Sequence, residues 1–187
     1  MKEGALIITT AKEIKNIYEK FINIQNSGNK KFSKLTNWLK KESNLFEEKI
    51  KNNTNIFLRY KRGQIIKVDF GVNIGSELSH THFAIVLNSD DTKHTDNVTV
   101  LPLTSKKGYK RIYLGNIVSK IFNSDKYQNI TYGAIPQIKT ISKKRILLNN
   151  TKYTCNEKTL KKIDKSIVEY LTNNFYNKFT KRIDKEK

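Results

Sequence analysis

The chain has 187 residues, enough for one domain or for one domain with an appendage. Its net charge is +19 and Cys155 is its single cysteine, which excludes an internal disulfide framework and a cysteine-rich zinc site and fits a reducing cytoplasm. No apolar run approaches the roughly 18 residues of a membrane span, and the apolar start Ala5-Leu6-Ile7-Ile8 is too short for a signal peptide. A cytoplasmic protein without a membrane partner is expected.

The first 55 residues read as helix. Thr10-Ala11-Lys12-Glu13 has capping-box spacing, and Ile14, Ile17, Tyr18, Phe21 and Ile24 follow at helical intervals. After the polar turn Asn26-Ser27-Gly28-Asn29 comes a second apolar series, Phe32, Leu35, Trp38, Leu39, Leu45 (or Phe46) and Ile50. Two helices around a short turn predict an antiparallel hairpin with its aromatics in the core. Residues 52–55 form a polar break, so the expected domains are 1–55, a helical hairpin, and 56–187.

From Ile56 the period shortens to β-rich runs: Gly63–Phe70, His82–Asn88, Val98–Leu103, Arg111–Leu114, Thr131–Ile138 and Arg145–Leu148. Turn signals separate them, among them Ser89-Asp90-Asp91, Lys107-Gly108 and Asn149-Asn150. Phe83-Ala84-Ile85-Val86-Leu87 is apolar on both faces, as in a closed or well-covered sheet. Residues 115–130 fit neither pattern and read as a loop with a short helix. Helical spacing returns from Asn156 with Leu160, Ile163, Ile167, Leu171 and Phe175, and residues 181–187 look frayed. The fold class is therefore α+β: a helical hairpin, a small β-barrel and a closing helix.

The charge is unevenly spread. Residues 97–156 hold eleven basic residues and one acid, Asp125, or +10 over 60 residues. Lysine and asparagine enrichment from an AT-rich genome would spread more evenly, so the concentration points to a polyanion such as nucleic acid. Phosphate-loop, dinucleotide and nucleophile-elbow motifs are absent. His80-Thr81-His82 offers two imidazoles, with Glu77 three residues earlier, but no further residue at convincing metal spacing. No metal or other cofactor is expected.

What remains is distinctive in its order. Arg62-Gly63-Gln64 opens a strand, and Gly75-Ser76-Glu77 follows in a loop. An apolar strand ends at Asn88, then come Thr104-Ser105 and Gln137-Ile138-Lys139-Thr140-Ile141. Over about residues 59–175 this resembles the MazF/PemK toxins, the ribonucleases of type II toxin–antitoxin pairs. The resemblance implies a PemK/CcdB-like (SH3-like) β-barrel that forms a homodimer and cleaves single-stranded RNA without a metal. In that chemistry the 2′-hydroxyl attacks the adjacent phosphate and leaves a 2′,3′-cyclic phosphate and a 5′-hydroxyl. It also implies a cognate antitoxin with an acidic tail, and DNA binding by the toxin–antitoxin complex.

Carried over residue by residue, Thr104 stands at the family's catalytic Thr or Ser, with Ser105 beside it. His82-Phe83 stands where the family has Arg-Pro. An imidazole titrates near neutrality and can move a proton in the missing guanidinium's stead. If the segment is extended, His80 and His82 share a face. The expected catalytic residues are thus His82, Thr104 and His80. Arg62, Glu77, Ser105, Lys106, Lys139, Lys143 and Lys144 are the expected RNA contacts, and Tyr132 could stack on a base. Each has a plainer reading: Thr104 caps a turn, Arg62 pairs with an acid, Phe83 packs in the core, and the lysine run is a solvated face.

Two other functions fit the same barrel: a non-catalytic DNA- or RNA-binding module, and a CcdB-like gyrase poison acting by protein contact. The hairpin lies outside the family's common core. Its apolar stripes suggest assembly or antitoxin contact.

Overall fold

Sequence periodicity and structure agree on the element types. The computed structural model describes residues 2–51, 56–118, 130–148 and 153–172, with side chains from Thr10 onward and excepting Leu148. The polar break at 52–55, most of the 115–130 loop, the Asn149-Asn150 turn, Phe175 and the 181–187 end lie outside those residues. Among the described residues no helix is long and apolar enough to cross a membrane.

The chain divides into two compact units. The first is Met1–Asn53 with Gly71–His80; the second is Thr54–Phe70 with Thr81–Lys187. In the first, helices α1 (Lys2–Asn26) and α2 (Leu35–Lys51) form the expected hairpin. Gly28, at φ 78°, supplies the left-handed residue of the turn. The Gln25 side-chain oxygen accepts from the Thr36 amide and hydroxyl at 2.9 and 2.6 Å, fastening one helix to the other. Leu35 and Trp38 are buried. The capping box expected at Thr10 is not a helix start, because α1 already runs from Lys2. Nor is the whole apolar stripe core: Ile14, Ile17, Tyr18, Phe46 and Ile50 are exposed. One helix–helix interface covers one face of each helix, and these stripes are wider than that.

Among the described residues, the second unit has an antiparallel sheet of seven strands: β1 (Ile65–Asp69), β2 (Thr81–Val86), β3 (Asn97–Thr104), β4 (Arg111–Gly115), β5 (Thr131–Ala134), β6 (Lys139–Ser142) and β7 (Ile146–Leu148). Its order is β4-β5-β3-β2-β1-β7, with β6 on β3, and the sheet is not closed. The expected strand 131–138 stops at Ala134, and a strand not expected from the sequence, β6, follows at Lys139–Ser142. Pro136 cannot donate to a ladder, and Ile135–Gln137 make a 3₁₀ turn instead. As a result β3 pairs along one edge with two strands, Asn97–Val100 with β6 and Leu103–Thr104 with β5.

Helix α3 (Glu157–Thr172) starts where Asn156 accepts from the Thr159 amide at 2.9 Å, an N-cap. It sets Ile163, fully buried, in one cluster with Ile65, Ile85, Leu101, Leu103, Ile112 and Ile135. Gly133, paired with Leu103 and Ile112, lies under these side chains. A Cβ there would stand 2.8 Å from Leu101 Cδ2 and 2.9 Å from Ile112 Cγ2. Gly133→Ala is expected to cost about 1–3 kcal/mol by overpacking, read as a lower denaturant midpoint at unchanged slope.

Candidate active site

Alternation along the strands sorts the sheet's side chains. Ile85, Leu101, Leu103 and Ile112 point to the α3 side, so His82, Thr104, Tyr132 and Tyr113 point to the other. Cross-strand register lines these four up. Tyr132 on β5 is opposite Thr104 on β3 and opposite Tyr113 on β4. The β2–β3 register, Ala84 with Pro102, brings His82 level with Thr104 when continued by two residues.

His82 is half-buried, with Val68 of β1 opposite and the Phe70 ring centroid 6.4 Å away at 60°. Its Nδ1 lies 3.2 Å from the Leu103 carbonyl oxygen. A carbonyl can only accept, so this bond puts the hydrogen of the neutral ring on Nδ1 and makes Nε2 its acceptor nitrogen.

Thr104, also half-buried, ends β3. Its Oγ1 accepts from the Lys106 amide at 3.2 Å, which is the turn-capping reading. That bond uses a lone pair and not the hydroxyl hydrogen. The turn is clamped from the next strand, where Arg111 Nη1 donates to the Lys106 carbonyl at 2.7 Å. Gly108 makes room, since its Cβ would stand 3.1 Å from the Arg111 guanidinium carbon. Ser105, Lys106, Lys107 and Lys110 are exposed on this loop. Three cations within six residues, with no acid among them, concentrate positive charge beside Thr104.

The other expected residues are placed differently. His80 has φ 69° and its amide donates to the Gly71 carbonyl at 2.5 Å. It is not extended, so the alternation invoked for a shared face with His82 begins only at Thr81. Glu77 lies on the same Gly71–His80 segment, where Lys31 Nζ donates to its carbonyl oxygen at 3.1 Å. Arg62 has the structural role weighed for it: its guanidinium bonds the Leu87 carbonyl and the Asp164 carboxylate, joining the end of β2 to α3.

Lys143 corrects an expectation. It is 5 % exposed, and its Nζ sits 2.8 Å from Asp91 Oδ1 and 2.7 Å from the Thr92 carbonyl. An ammonium so enclosed cannot meet RNA. Lys139 is half-buried opposite Val100, four residues along β3 from Thr104, or about 13 Å at the rise of a strand. Lys144 follows on the 3₁₀ turn Lys143–Arg145, farther still. The basic block at 139–145 and the His82–Thr104 end are therefore different regions of the sheet.

Cys155 is buried, which pushes its thiol up to about 11, so it stays protonated and is no nucleophile at neutral pH. Among the described residues no group of three or more His, Cys, Asp or Glu side chains could hold a metal ion. Sequence reasoning missed the Arg111 clamp and the exposed Tyr113. Both stood in a short strand whose residues carried no other signal.

Residues 61–171 match the model of a family described as PemK-like, MazF-like toxin of type II toxin–antitoxin system. Residues 1–60 lie outside the match. Among solved structures, the chain is similar to MazF (Form-I) from Deinococcus radiodurans, with TM-score 0.46 and 15 % identity over 62 % of this chain and 98 % of that one. It is also similar to an endoribonuclease in complex with its cognate antitoxin from a mycobacterial species, with TM-score 0.43, 17 % identity and 62 % and 95 % coverage. A further mycobacterial endoribonuclease gives TM-score 0.44, 15 % identity and 62 % and 93 % coverage. No curated protein matches the sequence.

Proposed function

Because the chain belongs to the family of PemK-like, MazF-like toxins of type II toxin–antitoxin systems, we propose that it is an endoribonuclease. Its substrate is single-stranded RNA, and its cognate antitoxin restrains it. The observation that carries the reading is the imidazole of His82, held through Nδ1 beside the Thr104 end of β3.

Nε2 of His82 takes the proton of a ribose 2′-hydroxyl, and that oxygen attacks the adjacent phosphorus. A new P–O2′ bond closes the 2′,3′-cyclic phosphate as the P–O5′ bond breaks. The Thr104 hydroxyl donates to a non-bridging oxygen where negative charge develops. The ammonium of Lys106 supplies the proton that the departing O5′ needs. Lysines of the 105–110 loop hold the strand by its phosphates, so affinity falls steeply as salt rises. Imidazole, hydroxyl and ammonium account for every proton in the step, and none of it calls for a metal. The net charge of +19 suits an acidic antitoxin segment as it suits RNA. Pairing into a homodimer, a cytoplasmic location and DNA binding by the toxin–antitoxin complex belong to the same reading.

Incubating the purified protein with a long single-stranded RNA in EDTA tests it. Discrete fragments with 5′-hydroxyl ends are expected. RNA that is bound in a salt-sensitive way yet left intact would instead make the protein a binding module on the same fold.

A further inference from the structure

We infer that Tyr113 and Tyr132 form a stacking platform for a base of single-stranded RNA next to the bond that is cut, with Lys162 anchoring the neighbouring phosphate. This rests on the ribonuclease reading above and adds to it a binding subsite on β4 and β5. Across four adjacent strands the row His82, Thr104, Tyr132, Tyr113 occupies one face of the sheet. At the usual spacing of strands its ends are about 14 Å apart, room for more than one nucleotide. The first two members are the proton-moving and hydrogen-bonding groups, and the last two are aromatic rings.

The rings are 5.9 Å apart at 67°, an edge-to-face pair that sets each ring's plane. Tyr113 is 53 % exposed, so its ring does little for the core and is left to face solvent. Lys162 of α3 donates to the Tyr113 carbonyl at 2.7 Å, and its Nζ lies 5.6 Å from the centre of the Tyr113 ring. The carbonyl fixes a long side chain that would otherwise sample many rotamers, and so places a cation beside the aromatic surface. Lys106, Lys107 and Lys110 stand on the loop that joins Thr104 to β4. Aromatic faces interleaved with cations are what single strands bind, because every base has a face to stack while a duplex hides it. Stacking of this kind tolerates any sequence. The platform therefore contributes affinity and strand position rather than the choice of cleavage motif.

The test uses two non-cleavable single-stranded probes of equal length, a 2′-O-methyl oligouridylate and the same backbone without bases. Wild type should prefer the probe with bases by about tenfold or more. Tyr113→Ala and Tyr132→Ala should each shrink that preference severalfold while binding the abasic probe as wild type does, and Tyr113→Phe should restore it. Tyr113 is exposed, so its variants fold, and an unchanged unfolding midpoint checks this. Equal binding of the two probes by wild type, or a preference that survives both alanine variants, overturns the platform. If the protein cuts RNA in EDTA and yet shows either result, the platform alone falls. If it neither cuts nor binds RNA, the ribonuclease reading falls and takes the platform with it.

Discussion

Lys143→Ala is expected to lower the free energy of unfolding by about 3–5 kcal/mol, the cost of leaving one charge of a buried pair without its partner. Only 2 % of the Lys143 side chain and 1 % of that of Asp91 is exposed. Around the pair, the Tyr60 amide and the Thr95 hydroxyl each donate to Asp91 at 2.7 Å. The Phe57 and Tyr60 rings lie 6.0 and 5.8 Å from the ammonium. Since a domain's whole stability is roughly 5–15 kcal/mol, chemical denaturation would show the change plainly. Lys143→Met combined with Asp91→Leu should recover much of the loss, because the pair's attraction mostly offsets its own desolvation. If Lys143→Ala left stability intact but weakened RNA binding, the residue would be a surface ligand after all.

The same pair sets an acid limit. Burial pushes the Asp91 carboxyl up, but the Lys143 hydrogen bond, the Tyr60 amide, the Thr95 hydroxyl and the Lys143 charge outweigh it, and the group titrates below its ordinary 3.8. Its contribution is therefore complete above pH 3.8 and is lost as pH falls through the lower folded value. Tyr60 sets an alkaline limit. Burial, helped by the Asp91 charge, pushes its phenol from 10.0 up to about 12. The unfolded chain thus gives up that proton first, and stability declines between about pH 10 and 12.

His82→Ala is expected to reduce the cleavage rate about 10²- to 10⁴-fold, the range for a positioned general base. Binding of non-cleavable RNA should barely change, since the phosphate contacts proposed above are the loop lysines. The half-buried ring is not part of the hydrophobic cluster under α3, so the fold should survive, and a preserved near-UV spectrum checks that. A full rate with alanine at 82 would remove the imidazole from the reaction and return the base to some other group.

Much of the sheet was readable because its strands alternate or run apolar between clear turn residues, and α3 because Asn156 caps it ahead of a regular stripe. The family was readable through the order of short blocks, each weak alone. Other features depended on contacts between residues distant in sequence. Lys143 stands in a run of three cations, which by itself means a solvated face, and only Asp91, over fifty residues earlier, draws it inside. His80 looked like part of a strand because nothing local announces a left-handed backbone at a histidine. Tyr113 gave no sign of its place beside Tyr132, since that depends on which strand is next to it. The division between β5 and β6 at Pro136 was marked in the sequence, and apolar residues on both sides concealed it.

That division has a consequence for how the protein is made. Thr104 lies at the end of β3, but the strand that lines up Tyr132 beside it is residues 131–134, and the remainder of β3's edge waits for residues 139–142. At roughly 5–20 residues per second of synthesis, the ribosome needs about 2–8 s to go from Thr104 to Ser142. Throughout that interval β3 has no partner on one side. The strand's hydrogen-bonding edge is open to other chains, and the row that begins at His82 is incomplete. A growing chain therefore cannot present the full proposed RNA-binding row until residues 131–134 have been made.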